Sequence, residues 1–151
     1  MQLTRYTDYS LRVLVYLGVF PGRLVTIHEI AESYAISGNH LMKIVNKLGI
    51  WGYVHTVRGK KGGIRLARDP KEINIGDVIR HTEERFDLAE CFLTESNQCP
   101  LFPSCAMENI LKDGVKSFLA VLDKYTLGDV LGDRPEEMAK LFNKKTSAAK
   151  T

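Results

Sequence analysis

The sequence predicts a mainly α-helical chain built on a winged helix-turn-helix, with a two-stranded β wing and a long dimerisation helix. Three observations carry that expectation. Two short amphipathic segments, at 26–34 and 37–48, are joined by a tight connection. A glycine-broken alternating stretch, "YVHTVRGKKGGIRLAR", follows them directly. Further on, one apolar seam recurs at threes and fours from about Cys105 to Tyr125. At 151 residues the chain is long enough to bury a core without disulfide staples.

From Thr7 to about Phe20, "TDYSLRVLVYLGVF" starts polar and becomes densely apolar, which predicts a mostly buried helix ended by "PGR". In "TIHEIAESY", Thr26 as N-cap and Glu29 three positions on give a capping-box pattern, with Ile27, Ile30, Ala31 and Tyr34 on one face. Ser37 can cap the next helix, whose buried stripe is Leu41, Ile44, Val45 and Leu48, leaving Asn39, His40, Lys43, Asn46 and Lys47 outside. Many helical hairpins share this pattern. The alternating stretch after it sets Ile64 and Leu66 on one face of a hairpin, and helix, turn, helix and hairpin in that order make a winged helix.

At the hairpin tip, Gly59, Gly62 and Gly63 let the backbone turn sharply and approach a phosphate closely, while Arg58, Lys60 and Lys61 bring charge. The spacing of a nucleotide-binding P-loop is missing. "DPKE" reads as a turn, and Asn74 or Ile75 opens a helix to about Glu84. Residues 86–105 lack periodicity and are expected to be a loop, long for a compact domain and therefore a candidate for function. The seam of Met107, Ile110, Leu111, Val115, Phe118, Leu122 and Tyr125 lies on a helix of about 20 residues and ~30 Å, longer than a small winged helix needs, so it is expected to form a dimer interface. "TLGDVL" adds a short helix, and "NKKTSAAKT" reads as a frayed tail.

Charge divides along the chain. Residues 1–68 hold ten Lys and Arg against three Asp and Glu, a net +7, whereas residues 69–151 hold eleven against fifteen, a net −4. A basic half of this kind suits a polyanion such as DNA. Ser37, Asn39, His40 and Lys43 on the second helix, with Arg58, Lys60 and Lys61 on the wing, are the candidate contacts to an operator. No apolar run approaches the length of a membrane span, and the N-terminus lacks the succession of a signal peptide, so a cytoplasmic protein without membrane contact is expected. An enzyme is not expected, because no paired carboxylates, nucleophile–base set or phosphate loop is arranged for chemistry.

Cys91, Cys99 and Cys105 are the whole complement of cysteines and fall within fifteen residues. Three thiols cannot pair without a remainder, and their spacing is wide for zinc, which favours ligand pairs two to four residues apart. An iron–sulfur cluster tolerates wider gaps, and Pro100 and Pro103 lower the entropy lost when a loop closes on a cofactor. Three thiols could equally serve as a redox switch, and His81 stands close enough in sequence to supply a nitrogen ligand.

Together, "LTRYTDYSLR", "SGNHLMKIVNKL", "VRGKKGGIRL", the three-cysteine loop and "YTLGDVL" resemble the family of iron–sulfur winged-helix regulators, over residues 1–131. That resemblance implies a homodimer crossing long helices, with a cluster held by Cys91, Cys99 and Cys105 of one subunit. In nitric-oxide-sensitive members an aspartate near the start of the first helix, from the partner subunit, supplies the remaining ligand, and Asp8 matches it. It further implies a repressor that leaves operator DNA when nitric oxide reacts at the cluster, derepressing nitric-oxide detoxification genes. The gap between Cys91 and Cys99 exceeds that of many relatives, which leaves 2Fe–2S and 4Fe–4S clusters both open. Other readings are a cluster-supply or redox-sensing regulator of the same family and an electron-transfer iron–sulfur protein. Three regions are expected: 1–80, a winged helix-turn-helix; 81–131, the cysteine loop and dimerisation helix; and 132–151, an extension ending in a partly disordered tail.

Overall fold

Thr4 starts the first helix. In the computed structural model, which describes residues 2–93 and 96–148 with side chains through Phe142, its hydroxyl accepts from the amide of Thr7 at 3.2 Å. Helix α1 (Arg5–Val19) thus begins two residues before the polar start read from the sequence. It ends at the turn where Gly22 adopts φ +75°, a conformation that favours glycine. Val13, Leu14 and Leu17 of α1 are almost wholly buried.

Helix α2 (Ile27–Tyr34) is capped by Thr26 as expected, its hydroxyl accepting from Glu29 N at 3.1 Å. The reciprocal half of the capping box does not form. The Glu29 carboxylate instead accepts from the Tyr16 hydroxyl at 2.9 Å and pairs with Arg23, so its charge ties α2 to α1 and to the turn between them. Helix α3 (Gly38–Ile50) follows after three residues and buries the four residues its stripe predicts. Strands β1 (Val54–Val57) and β2 (Gly63–Leu66) pair antiparallel with His55 opposite Arg65, and Ile64 also exchanges both backbone hydrogen bonds with Val25. Simple alternation fails at the root of the hairpin, where Tyr53 and Val54 are both buried.

A 3-10 turn (Pro70–Glu72) leads into α4 (Ile75–Thr82), capped by Asn74. A second 3-10 turn (Glu90–Phe92) interrupts the long loop, and α5 (Ala106–Leu122) follows it. With 17 residues, α5 is shorter than the 20 expected, because Cys105 and Asp123 are its caps. None of its residues is buried, and Met107, Ile110 and Val121 are exposed. Helix α6 (Leu127–Leu131) returns to the winged helix. Leu127 N donates to Ile73 O at 2.8 Å, and Leu127 and Leu131 enter the same core as α1. The division expected after residue 80 therefore falls inside α4, and the chain ends of the second region fold into the first.

The stretch read as an extension with a frayed tail is mostly helical: α7 spans Pro135–Ala148. Phe142 sits among Tyr16, Tyr34 and Phe20, with ring centroids 4.8, 5.3 and 6.4 Å away. An aromatic pocket offered by two other helices holds a segment whose own composition is polar. Residues 149–151 lie outside the described residues. Among the described residues, no helix is long and apolar enough to cross a membrane.

The wing depends on one glycine. A Cβ at Gly62 would stand 2.3 Å from Val57 O and 2.8 Å from Gly59 O, both backbone atoms that cannot swing aside. Replacing Gly62 with Ala is expected to open the hairpin tip at a cost of about 1–3 kcal/mol. Hydrogen exchange should show lost protection in β1 and β2 with α1 and α3 still protected.

Candidate functional site

Leu41, Ile44, Val45 and Leu48 anchor α3 to the core, and at 3.6 residues per turn this turns Asn39, Lys43 and Asn46 outward with His40 and Lys47 beside them. All five are exposed. Ser37 occupies the N-cap, but its side chain makes no capping bond; the carbonyl alone accepts, from Leu41 N at 3.1 Å. Two apolar residues that the helical stripe does not assign share this outward surface: Met42 is 58% and Ile50 69% exposed. Their places off the Leu41, Ile44, Val45 and Leu48 stripe were the available signal.

Arg58, Lys60 and Lys61 stand exposed at the wing tip, with Arg65 on the outer side of β2. Among the described residues, none of Lys43, Lys47, Arg58, Lys60, Lys61 and Arg65 pairs with a carboxylate. Uncompensated charge spread over a helix and a hairpin is the electrostatic footprint of a nucleic-acid interface. Three other basic residues of this half are already engaged. Arg12 pairs with Asp8, Arg23 with Glu29, and Arg68 donates to the carbonyls of Gly52 and Trp51 at 2.9 and 3.0 Å. That last contact places a cation at the C-terminal end of α3, where helix carbonyls lack partners.

His81, the sequence alternative for a nitrogen ligand, has a packing role. Its Nδ1 lies 2.9 Å from the Tyr53 hydroxyl, and its ring stacks on Trp51 with centroids 5.3 Å apart.

The three cysteines are spread along the long loop. Cys91 belongs to the 3-10 turn, Cys99 is held by a bond from its amide to Asn97 Oδ1 at 2.9 Å, and Cys105 is the N-cap of α5. All three are free thiols and half-buried. Among the described residues, no three His, Cys, Asp or Glu side chains gather at the spacing of a metal site, so the loop carries the thiols without converging them. Asp8 is not among them either. Both of its oxygens engage Arg12, at 3.0 and 2.8 Å, and that guanidinium lies over the Tyr9 and Tyr34 rings. Burial pushes the Tyr34 hydroxyl up to about 12, so it stays neutral beneath the cation.

The donor set nevertheless fits an iron–sulfur cluster. Thiolates are the ligands such clusters take. Asn97 Nδ2 is buried in the loop and meets no acceptor among the described residues, a donor suited to a sulfur carrying negative charge. Cys105 makes no side-chain cap bond, which keeps the first-turn amides of α5 available to the same charge.

Known proteins agree with this architecture. The profile of the Rrf2 family, described as an iron-dependent transcriptional regulator, matches residues 3–133. The HTH-type transcriptional regulator NsrR of Bacillus subtilis is 51% identical over 146 residues, covering 96% of this chain and 99% of that protein. NsrR of Geobacillus kaustophilus is 51% identical over 135 residues, 89% of this chain and 92% of its own. Among solved structures, T. potens IscR superposes with a TM-score of 0.71 at 28% identity, covering 91% of this chain and 90% of that one. Staphylococcus aureus CymR in its oxidized form gives 0.66 at 28%, covering 84% and 93%. The order of elements, the wing and the extent of these matches agree: the chain belongs to the Rrf2 family of transcriptional regulators.

Proposed function

We propose that this DNA-binding transcriptional regulator is a homodimeric repressor that senses nitric oxide through an iron–sulfur cluster. The observation that carries the reading is the position of three free thiols on the one segment joining α4 of the winged helix to the exposed seam of α5. Relatives named NsrR at 51% identity support it. Cys91, Cys99 and Cys105 would hold the cluster in one protomer, and Asp8 of the partner subunit would complete its ligands. When bound, the cluster supplies iron that reacts with nitric oxide.

Asp8 can be exchanged at low cost. An exposed ion pair at i,i+4 contributes about 0.3–0.5 kcal/mol, and the Asp8 side chain is 44% exposed in its pair with Arg12. Leaving Arg12 for a metal is therefore easy, and Arg12 is waiting when Asp8 returns. Asp8, if it left such a site, would free the first turns of α1 and the cysteine loop together and so could alter the spacing of the two recognition helices.

On DNA, α3 enters the major groove of each half-site, with Ser37, Asn39, His40 and Lys43 toward bases and phosphates. Arg58, Lys60 and Lys61 lie along the neighbouring backbone or minor groove. Exposed Met107, Ile110 and Val121 on α5 meet their counterparts in the second copy.

Anaerobically purified protein is expected to show visible absorbance and to bind a palindromic promoter fragment. Added nitric oxide should weaken that binding about five- to 150-fold, the range of ordinary allosteric couplings. A colourless protein whose affinity ignores nitric oxide would overturn the reading. Cys99→Ala should abolish the absorbance, and repression in cells that persisted unchanged would remove the sensing role. For the wing, Lys60→Ala is expected to weaken binding evenly across sequences and to lower the salt slope by about one. An unchanged slope would place Lys60 away from DNA.

A further inference from the structure

Helix α5 has the cysteine loop at one end and the winged helix at the other. Cys105 is its N-cap and Asp123 its C-cap, about 27 Å apart at 1.5 Å per residue. Among its described residues only Leu119 and Leu122, in the last turn, pack against the buried core. The helix is thus a lever fixed at its far end.

That end is seated with side chains cut to fit. Asp123 Oδ1 accepts from Arg80 Nη1 at 2.6 Å and Oδ2 from Nη2 at 2.8 Å, a two-pronged fork between α5 and α4. Asn74, the N-cap of α4, donates through Nδ2 to the Asp123 carbonyl at 2.7 Å. Gly76 makes the room: a Cβ there would stand 2.0 Å from Asp123 Oδ1 and 2.9 Å from Arg80 Nη1. The carboxylate rests over the first turn of α4, where the helix favours an anion. Arg80 holds that carboxyl below the usual carboxylate range.

The next residue of α4 grips the other side. His81 bonds to the Tyr53 hydroxyl at 2.9 Å and stacks on Trp51, the C-cap of α3. Adjacent residues of one eight-residue helix therefore hold α5 and α3.

We propose that the Asp123–Arg80 fork over Gly76 is the joint through which α5 positions the recognition helix α3, so that displacement at the cysteine loop becomes a change in operator affinity. The proposal rests on the cluster-sensing reading above. Asp123 and Arg80 lie on neither the recognition helix nor the cysteine loop, so they are positioning residues. A bidentate pair fixes an angle as well as a distance. With the fork gone, α5 can tilt without carrying α4 and α3.

The test uses full-length protein bearing Asp123→Asn, Arg80→Ala or Arg80→Lys, loaded with cluster. Visible spectrum, dimer mass, melting temperature and operator Kd are measured before and after nitric oxide, and each variant is also combined with Cys99→Ala to read the cluster-free affinity directly. Wild type should lose about five- to 150-fold in affinity. Asp123→Asn and Arg80→Ala should keep spectrum, mass and melting temperature while that ratio falls toward one, with the cluster-free affinity approaching the loaded value. Arg80→Lys, which keeps the charge and loses the fork, should fall between. A wild-type ratio in all three variants would overturn the joint. Loss of dimer or cluster along with the ratio would also overturn it, by showing a merely structural role. A wild type without any ratio would instead sink the sensing reading, and the joint with it.

Discussion

Burial of α1 on almost every side sets the positions of the other elements. Eight of its fifteen residues are buried, including Thr7 and Ser10, and α3, α4, α6, α7 and β2 all pack on it. Polar groups at that depth need partners. Ser10 donates to Tyr6 O at 2.7 Å, and Thr7 shares its hydroxyl contact with Thr4. Gly18 allows the closest approach: a Cβ there would lie 2.6 Å from Leu131 Cδ1, so the end of α6 rests almost on the α1 backbone. Because α1 claims the inner face of α3, the polar stripe of that helix is left outward together with Met42 and Ile50.

The same helix carries the proposed link between sensor and reader. Asp8 and Arg12 lie on its surface toward Tyr34 of α2, while Tyr16, one turn beyond Arg12, meets Glu29 and Phe142. Glu83 closes the other side of its N-terminus by accepting from Thr4 N at 2.7 Å. A pull on the first turn of α1 therefore acts on α2 and on the end of α4 together.

Local patterns were legible in the sequence, and long-range partners were not. The stripe of α3, the Thr26 cap, the glycine tip of the wing and the seam of α5 each follow from periodicity or turn chemistry within a few residues. Glu29 departed from its capping box because Tyr16 and Arg23 offered better partners. Helix α7 lies in the stretch expected to be an extension with a frayed end, and its seat is not local, because the pocket for Phe142 is assembled from α1 and α2. Arg80 and Asp123 are 43 residues apart, and nothing in either neighbourhood announces the other. The three thiols were visible as a set, but among the described residues they do not converge, and the conformation of a long loop is not encoded in their spacing.

Trp51 is the sole tryptophan of the chain, and it stands where α3 ends, the wing begins and α4 leans in. Its indole is stacked on His81 at an interplanar angle of 24°. Indole emission responds to a stacked imidazole and to that imidazole's charge. The protein thus carries a built-in optical probe where α3, the wing and α4 meet, and a change in their packing would be read in its native fluorescence without any added label.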